Sequence, residues 1–193
     1  MNRETYVSWV NEGSPRDNNN SVPHDIKMFY VNRTLNDFGL RSFVESGTSF
    51  GDGVAAVLPN VDLVHTIEAW DHAYQFSSNR FKGNDNVVLH FGDSAELLPG
   101  ILAGIGPSVF WLDAHYSGDG TAQLEKDTPI VAELEAIAAS KDASFHCIVI
   151  DDARGFGVWK DYPTVEEMKE LCHKLFPTHD FFLEGDEIFV LPC

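Results

Sequence analysis

The chain has 193 residues, of which 44% are hydrophobic and 22% are charged, a composition that is ordinary for one soluble globular domain. Its formal charge of −17 repels phosphate backbones and argues against general nucleic-acid binding. The sequence has no apolar run of the roughly 18 residues that a membrane span needs, and its start lacks an apolar signal-peptide core. Three scattered cysteines without a CxxC pair argue against a disulfide framework or structural zinc, so the expected location is the cytoplasm.

The chain divides into a short arm and one domain. Residues 1–22 contain NEGSPRDNNN (11–20), which is too polar to pack into a core and predicts a mobile arm or an irregular cover. Residues 23–193 are predicted to form a single domain, which opens with a loosely helical pattern over 23–38.

Apolar runs and helical patterns alternate along this domain. The runs predicted to be strands lie at 43–45, 63–68, 87–91, 109–113 and 146–151. Helices are predicted around 55–58, 71–82, 95–104, 128–140 and 165–175, and a closing hairpin over 181–183 and 188–191. This alternation is typical of an α/β fold with a mainly parallel sheet, helices on both faces, and ligands at the carboxyl ends of the strands.

Three helix starts carry sequence signals. Asp71 is a plausible N-cap, and Pro129 is predicted at the favoured first helical position. Thr164 and Glu167 have the spacing of a capping box before the stripe of apolar residues on the last helix.

The first strand runs into a glycine-containing turn. Gly47 and Gly51 follow Glu45 there and allow close backbone approach to a ligand, although the pattern is not the GxGxxG of dinucleotide sites. Glu68 ends the second strand about 20 residues on, where a carboxylate can accept both hydroxyls of a ribose. Each feature alone fits a simple turn or a solvated glutamate, but their order and spacing together favour a nucleoside ligand.

The third strand ends in GDS (92–94). Asp93 could accept a hydrogen bond from the exocyclic amine of a base at this position. Alternatively, Asp93 or Ser94 caps the next helix, and the two interpretations are compatible.

Carboxylates follow the two apolar runs VFWL (109–112) and CIVI (147–150). Asp113, Asp151 and Asp152 could converge on one cation, because neighbouring strands lie about 4.8 Å apart. Three convergent carboxylates need a counter-charge, and hard oxygen ligands favour Mg²⁺, Mn²⁺ or Ca²⁺. The alternative is that Asp151 and Asp152 end a strand and cap a hydrated turn.

His115 lies two residues beyond Asp113, where an imidazole could take a proton from a hydroxyl, although a lone histidine is more often structural. Tyr116, Ser117 and Arg154 flank the predicted site and could hold a substrate, with surface hydrogen bonding as the equal alternative. The loop 116–127 is long enough to suggest a lid.

Taken together, these motifs resemble those of the class I S-adenosylmethionine-dependent methyltransferases, in particular the macrocin O-methyltransferase-like enzymes. The resemblance runs from about residue 40 to the C-terminus. The segments that carry it are FVESGT (43–48), IE (67–68), GDS (92–94), WLDAHYSG (111–118) and IDDAR (150–154).

The resemblance implies a Rossmann-like sheet of seven mostly parallel strands with an antiparallel C-terminal hairpin. It also implies O-methylation of a sugar, glycan or natural-product hydroxyl with S-adenosylmethionine and Mg²⁺ or Mn²⁺. The implied cofactor contacts are Glu45, Ser46, Gly47, Thr48, Gly51, Glu68, Asp93, Ser94 and Asp113. Asp113, Asp151 and Asp152 match the metal site, whereas His115 departs from the carboxylate or other base that often stands at its position. Because the chain is short, its acceptor site is expected to be open or completed by a partner subunit in a homo-oligomer.

Three other readings stay open. The first is a metal-independent methyltransferase, with His115 as the base and the aspartates structural. The second is a non-catalytic S-adenosylmethionine-binding module. A metal-dependent hydrolase is the third, disfavoured by the acidic charge and by the absence of a phosphate-cradling lysine motif from the sequence.

Overall fold

The computed structural model describes residues 21–115 and 126–193. Within these ranges the chain forms one seven-stranded sheet with helices packed on both faces. The strands are β1 (Ser42–Ser46), β2 (Leu63–Glu68), β3 (Val87–Phe91), β4 (Val109–Leu112), β5 (Cys147–Ile150), β6 (His179–Glu184) and β7 (Glu187–Pro192). The α-helices are α1 (His24–Asp37), α2 (Asp52–Val57), α3 (Asp71–Arg80), α4 (Ser94–Leu102), α5 (Ile130–Ala138) and α6 (Val165–Leu175).

The strand order is β3-β2-β1-β4-β5-β7-β6. Strands β1 to β5 are parallel, whereas β7 pairs antiparallel with both β5 and β6. The predicted fold class is therefore confirmed. The order reverses between β1 and β4, and such a reversal is where ligands bind in open α/β sheets.

The apolar runs of the central strands follow from burial on both faces of the sheet. Phe43 and Trp111 face the cluster that contains α1 and α2, while Val44 and Phe110 face the one formed with α4, α5 and α6. All four side chains are at most 2% exposed, so both faces of the strands are core.

The N-caps of two helices differ from the prediction. The N-cap of α3 is Trp70, and Asp71 is already the first helical residue. Pro129 is the N-cap of α5, since its carbonyl accepts the first helical bond, from the Glu133 N–H. The predicted capping box before α6 is confirmed, with Thr164 and Glu167 each binding the other's backbone N–H.

Most of the predicted arm, residues 1–20, lies outside the described residues. Ser21 and Val22 are described and buried, and Val22 packs in the α1 cluster. Among the helices of the described ranges, none combines the length and apolarity needed to cross a bilayer.

His146, directly before β5, makes folding stability depend on pH. Its Nδ1 accepts the Ser108 N–H at 3.2 Å, and burial lowers its pKa to about 4. Below the ordinary pKa of about 6.5 the unfolded chain takes up a proton that the folded chain does not. We therefore expect the titration of His146 to lower the free energy of unfolding by about 3 kcal/mol as the pH falls from 6.5 to 4.

Urea unfolding at several pH values checks this expectation. The variant His146→Gln keeps a polar side chain that does not titrate, so its unfolding free energy should fall less over this interval than that of the wild type. Equal pH slopes in the two proteins would contradict the assignment.

Candidate functional site

The site is built at the carboxyl edge of the sheet, where the turn after β1 is bonded to its neighbours. Gly47 donates its N–H to the Ile67 carbonyl of β2 at 3.0 Å, and Asp113 donates its N–H to the Ser46 carbonyl at 3.1 Å. These bonds fix the turn against the ends of both β2 and β4. Gly51 follows as the N-cap of α2 in a left-handed conformation.

Gly47 is required by both conformation and space. Its φ is +84°, and a Cβ there would lie 2.5 Å from the Asp113 carbonyl oxygen. Gly47→Ala is expected to lower the unfolding free energy by about 2 kcal/mol or more, because the backbone of Asp113 would have to move. Urea unfolding measures this change.

Gly100→Ala is the matched control, because Gly100 lies in α4 and a Cβ added there would have nothing within 4 Å. The same substitution should raise the unfolding free energy there by roughly 0.5–1 kcal/mol, since alanine favours a helix more than glycine does. A Gly47→Ala protein as stable as the wild type would contradict the required close approach.

Glu45 lies beneath the turn and is only 2% exposed. Burial raises the pKa of Glu45 to about 8. The Thr66 hydroxyl donates a hydrogen bond to this carboxylate at 2.6 Å, which opposes the rise in pKa. Ser46 and Thr48 are buried as well. The side chains of this turn therefore support its shape from within the protein.

Glu68 presents a paired acceptor at the end of β2. Its Oε2 accepts the Ser49 N–H at 2.6 Å, and its Oε1 accepts the Trp70 N–H at 2.8 Å. Burial raises the pKa of the carboxylate, and the backbone hydrogen bonds oppose that shift. Since a carboxylate oxygen can accept a second bond, two neighbouring hydroxyls could each find an acceptor here.

Asp93 is the N-cap of α4, and its Oδ1 accepts the Ala95 N–H at 2.9 Å. The capping role that the sequence left open is therefore present. Ser94 is buried beside it, and its hydroxyl contacts the buried carboxylate of Glu133.

Asp113, His115 and Asp152 come together past the ends of β4 and β5, with one ligand atom of each inside a 4.8 Å span. His115 Nδ1 lies 3.4 Å from Asp113 Oδ1, and Nε2 lies 3.6 Å from Asp152 Oδ2. Asp152 has a φ of +58°, a conformation that is uncommon outside glycine. Burial opposes charge on His115, but the two carboxylates outweigh it and raise the pKa of the imidazole.

Asp151 forms an ion pair with Lys27, a residue that the sequence did not single out. Lys27 of α1 places its Nζ 2.6 Å from Asp151 Oδ2 and 3.2 Å from Asp152 Oδ1. Burial and repulsion from Asp113 and Asp152 raise the pKa of Asp151, while the ammonium opposes this shift. The sequence offers little signal for this contact, because Lys27 is a single basic residue in a helix 124 positions away.

Arg154 is also held in ion pairs. Its Nη1 lies 2.5 Å from Asp152 Oδ1 and also pairs with Asp186 Oδ2. Its guanidinium lies 5.3 Å from the ring of Trp159, which stacks on His115 at 5.6 Å. The other two predicted substrate residues, Tyr116 and Ser117, and the lid predicted over 116–127, fall wholly or mostly outside the described residues.

Carboxylates outnumber permanent cations in this network. Its carboxylates belong to Asp113, Asp151, Asp152 and Asp186. The permanent cations that pair with them are Lys27 and Arg154, so the carboxylates outnumber these cations by two. Carboxylate oxygens are donors that suit a divalent cation such as Mg²⁺ or Mn²⁺.

A small cavity, with room for about one water molecule, lies beside Asp113 and His115. Its lining mixes polar and apolar side chains, among them Glu133, Tyr162 and Ile130. Glu133 is 1% exposed, and burial raises its pKa to about 7 against contacts with the hydroxyls of Ser94 and Ser46. A signal for Glu133 exists in the sequence, since this acid occupies a position on the apolar face of α5, three residues after Ile130.

Neither the family models nor the curated proteins include a match to this chain. Solved structures do match over nearly its whole length. The Podospora anserina methyltransferase PaMTH1, bound to SAH, is 15% identical with a TM-score of 0.63, covering 98% of this chain and 87% of that one.

Two further solved structures are O-methyltransferases. TomG from Streptomyces achromogenes, which is involved in tomaymycin synthesis and was solved with SAM, is 15% identical with a TM-score of 0.61, covering 97% of this chain and 86% of that one. The enzyme from Bacillus cereus, solved with SAH, is also 15% identical with a TM-score of 0.61, covering 98% and 90%. With the strand order and the reversed hairpin, these likenesses show that the chain has the Rossmann-like fold of class I S-adenosylmethionine-dependent methyltransferases.

Proposed function

We propose that this protein is an S-adenosylmethionine-dependent O-methyltransferase of the macrocin O-methyltransferase-like type, acting on a hydroxyl of a sugar, a glycan or a natural product. One observation carries the proposal. The paired acceptor oxygens of Glu68 and the group formed by Asp113, His115 and Asp152 flank the same glycine turn at the reversal of strand order.

The donor-binding half of the site is assigned to the ends of β1, β2 and β3. Glu68 would accept hydrogen bonds from the ribose hydroxyls, and Asp93 would accept one from the adenine amine. The turn that contains Gly47 and Gly51 would border the methionine part of the donor. These positions lie on one edge of the sheet, as a single extended ligand requires.

The acceptor half is assigned to the ends of β4 and β5. In methyl transfer the acceptor oxygen forms a bond to the methyl carbon while the carbon–sulfur bond breaks and the sulfur keeps the electron pair. His115 would take the hydroxyl proton, and its contacts with Asp113 and Asp152 hold the ring in place. Glu133 and Tyr162 line the small cavity beside His115 and would lie next to the acceptor oxygen.

Asp113 and Asp152 are the described carboxylates placed to hold a divalent cation beside His115. A bound cation of this kind lowers the pKa of a hydroxyl and orients its oxygen. The carboxylate oxygens of Asp113 and Asp152 are donors that suit such an ion.

A metal-independent methyltransferase is the second candidate, and Lys27 favours it. The Lys27 ammonium already supplies a counter-charge to Asp151 and Asp152, so these carboxylates have one cation without any metal. In that case His115 alone would assist the acceptor.

Calorimetric titration with S-adenosylmethionine and S-adenosylhomocysteine tests the donor assignment, with NAD as the control ligand. We expect saturable binding of the first two and none of NAD.

Methyl transfer from labelled donor to a panel of sugar and natural-product hydroxyls, with Mg²⁺ or with EDTA, tests the reaction. Loss of transfer in EDTA supports the cation, and full transfer in EDTA supports the second candidate. Donor binding without transfer to any acceptor would point to a non-catalytic module, and absence of donor binding would overturn the proposal.

A further inference from the structure

We propose that Lys27 is a positioning residue that removes Asp151 from the cation's ligand set, so that Asp113 and Asp152 are its protein carboxylate ligands. The inference rests on the cation-assisted form of the proposed function. It departs from the three-aspartate site that the resemblance implies, and it gives the first helix of the domain a part in the metal centre.

Both carboxylate oxygens of Asp151 already have partners. Oδ2 receives the Lys27 ammonium at 2.6 Å, and Oδ1 accepts the Asp152 N–H at 2.7 Å. The Asp151 side chain is 3% exposed, so neither bond is readily exchanged for water. A divalent ion coordinated by Asp151 would have to share this carboxylate with a buried ammonium, and the two like charges would repel at short range.

Asp152 divides its two oxygens between different partners. Oδ1 faces the ammonium of Lys27 and the guanidinium of Arg154. Oδ2 lies 3.6 Å from His115 Nε2, and Asp152 is one of the three residues grouped with Asp113 and His115. Asp152 therefore anchors the cationic side chains with one oxygen and leaves the other for a ligand.

Lys27 is held in this position by its helix. Its neighbours Ile26 and Met28 are both buried in the core, and Lys27 itself is 7% exposed. Its ammonium is held there by the two buried carboxylates of Asp151 and Asp152. It therefore acts as a fixed charge in the site, unlike a surface lysine that could swing away when a metal ion enters.

A site with two protein carboxylates is compatible with Mg²⁺ chemistry, because this ion commonly keeps several waters and binds proteins through one or two carboxylates. The remaining coordination positions are then open to water and to the acceptor hydroxyl. Lys27 in this way sets both the number of protein ligands and the affinity for the ion.

Two double variants of equal net charge test the inference, with Mn²⁺ as the probe in calorimetry and electron paramagnetic resonance. Lys27→Gln/Asp151→Asn replaces the ion pair of Lys27 and Asp151 by two neutral side chains. Because we place this pair outside the ligand set, the Kd for Mn²⁺ should stay within about threefold of wild type. In Lys27→Gln/Asp152→Asn, a ligand is lost, and the Kd should rise at least about 30-fold. The single variant Lys27→Gln frees Asp151, and its Kd should fall about tenfold.

Lys169→Gln is the control, because Lys169 is exposed on α6 and its loss changes the net charge equally. Urea unfolding of each variant verifies the fold, and if a double variant is unfolded the single variants Asp151→Asn and Asp152→Asn give the same ranking of effects. If wild type binds Mn²⁺ but both double variants lose affinity equally, Asp151 is a ligand and this inference alone is overturned. If wild type binds no Mn²⁺ while methyl transfer proceeds in EDTA, the cation part of the proposed function is overturned as well.

Discussion

Replacing Asp113 with asparagine is expected to lower kcat for methyl transfer by about 10³-fold while changing the Kd for S-adenosylmethionine by less than about threefold. The asparagine keeps the size of the side chain but removes a charge next to His115, whose Nδ1 lies 3.4 Å from Asp113 Oδ1. A weaker hold on the cation and on the imidazole would slow the reaction. The donor, which is assigned to the ends of β1, β2 and β3, would keep its contacts.

Single-turnover transfer of a labelled methyl group and calorimetry of donor binding measure the two quantities separately. The matched control is Asp85→Asn, the same chemical change at an exposed position before β3. A variant that keeps kcat within tenfold of wild type would argue against the catalytic role. Equal losses in kcat and in donor affinity would place Asp113 in the donor site instead.

Replacing Glu68 with alanine is expected to weaken S-adenosylmethionine binding about 100-fold, because two hydrogen bonds to a charged acceptor are lost. The same change removes the acceptor for the Ser49 and Trp70 N–H groups, which shape the loops on either side. Both the ribose contacts and the preformed shape of the donor site would suffer.

Calorimetry with S-adenosylhomocysteine measures this loss, and urea unfolding shows whether the fold is retained. Glu96→Ala is the control, since Glu96 is an exposed glutamate in the first turn of α4. If Glu68→Ala is folded and binds the ligand as tightly as the wild type, the ribose assignment fails.

Much of the fold could be predicted from the sequence. The runs at 109–112 and 147–150 are continuously apolar, because each strand packs helices on both faces. The capping box before α6 and the closing hairpin are likewise encoded by neighbouring residues. The N-caps of α3 and α5 were each missed by one residue, because local sequence fixes helix boundaries only to within a residue or two.

The sequence by itself also placed the carboxylates at strand ends, since a strand and the residue that follows it are fixed by local pattern. Tertiary structure alone decided their partners. Lys27 reaches Asp151 across 124 positions, and Glu133 lines the small cavity from a helix whose apolar stripe gives only a faint signal. Ion pairs of this kind depend on which helix the fold packs beside which strand end, and no local periodicity encodes that neighbour. The alternation of apolar runs and helical patterns therefore determined that these carboxylates lie at strand ends. The packing of α1 on the sheet determined which of them remains available to bind a ligand.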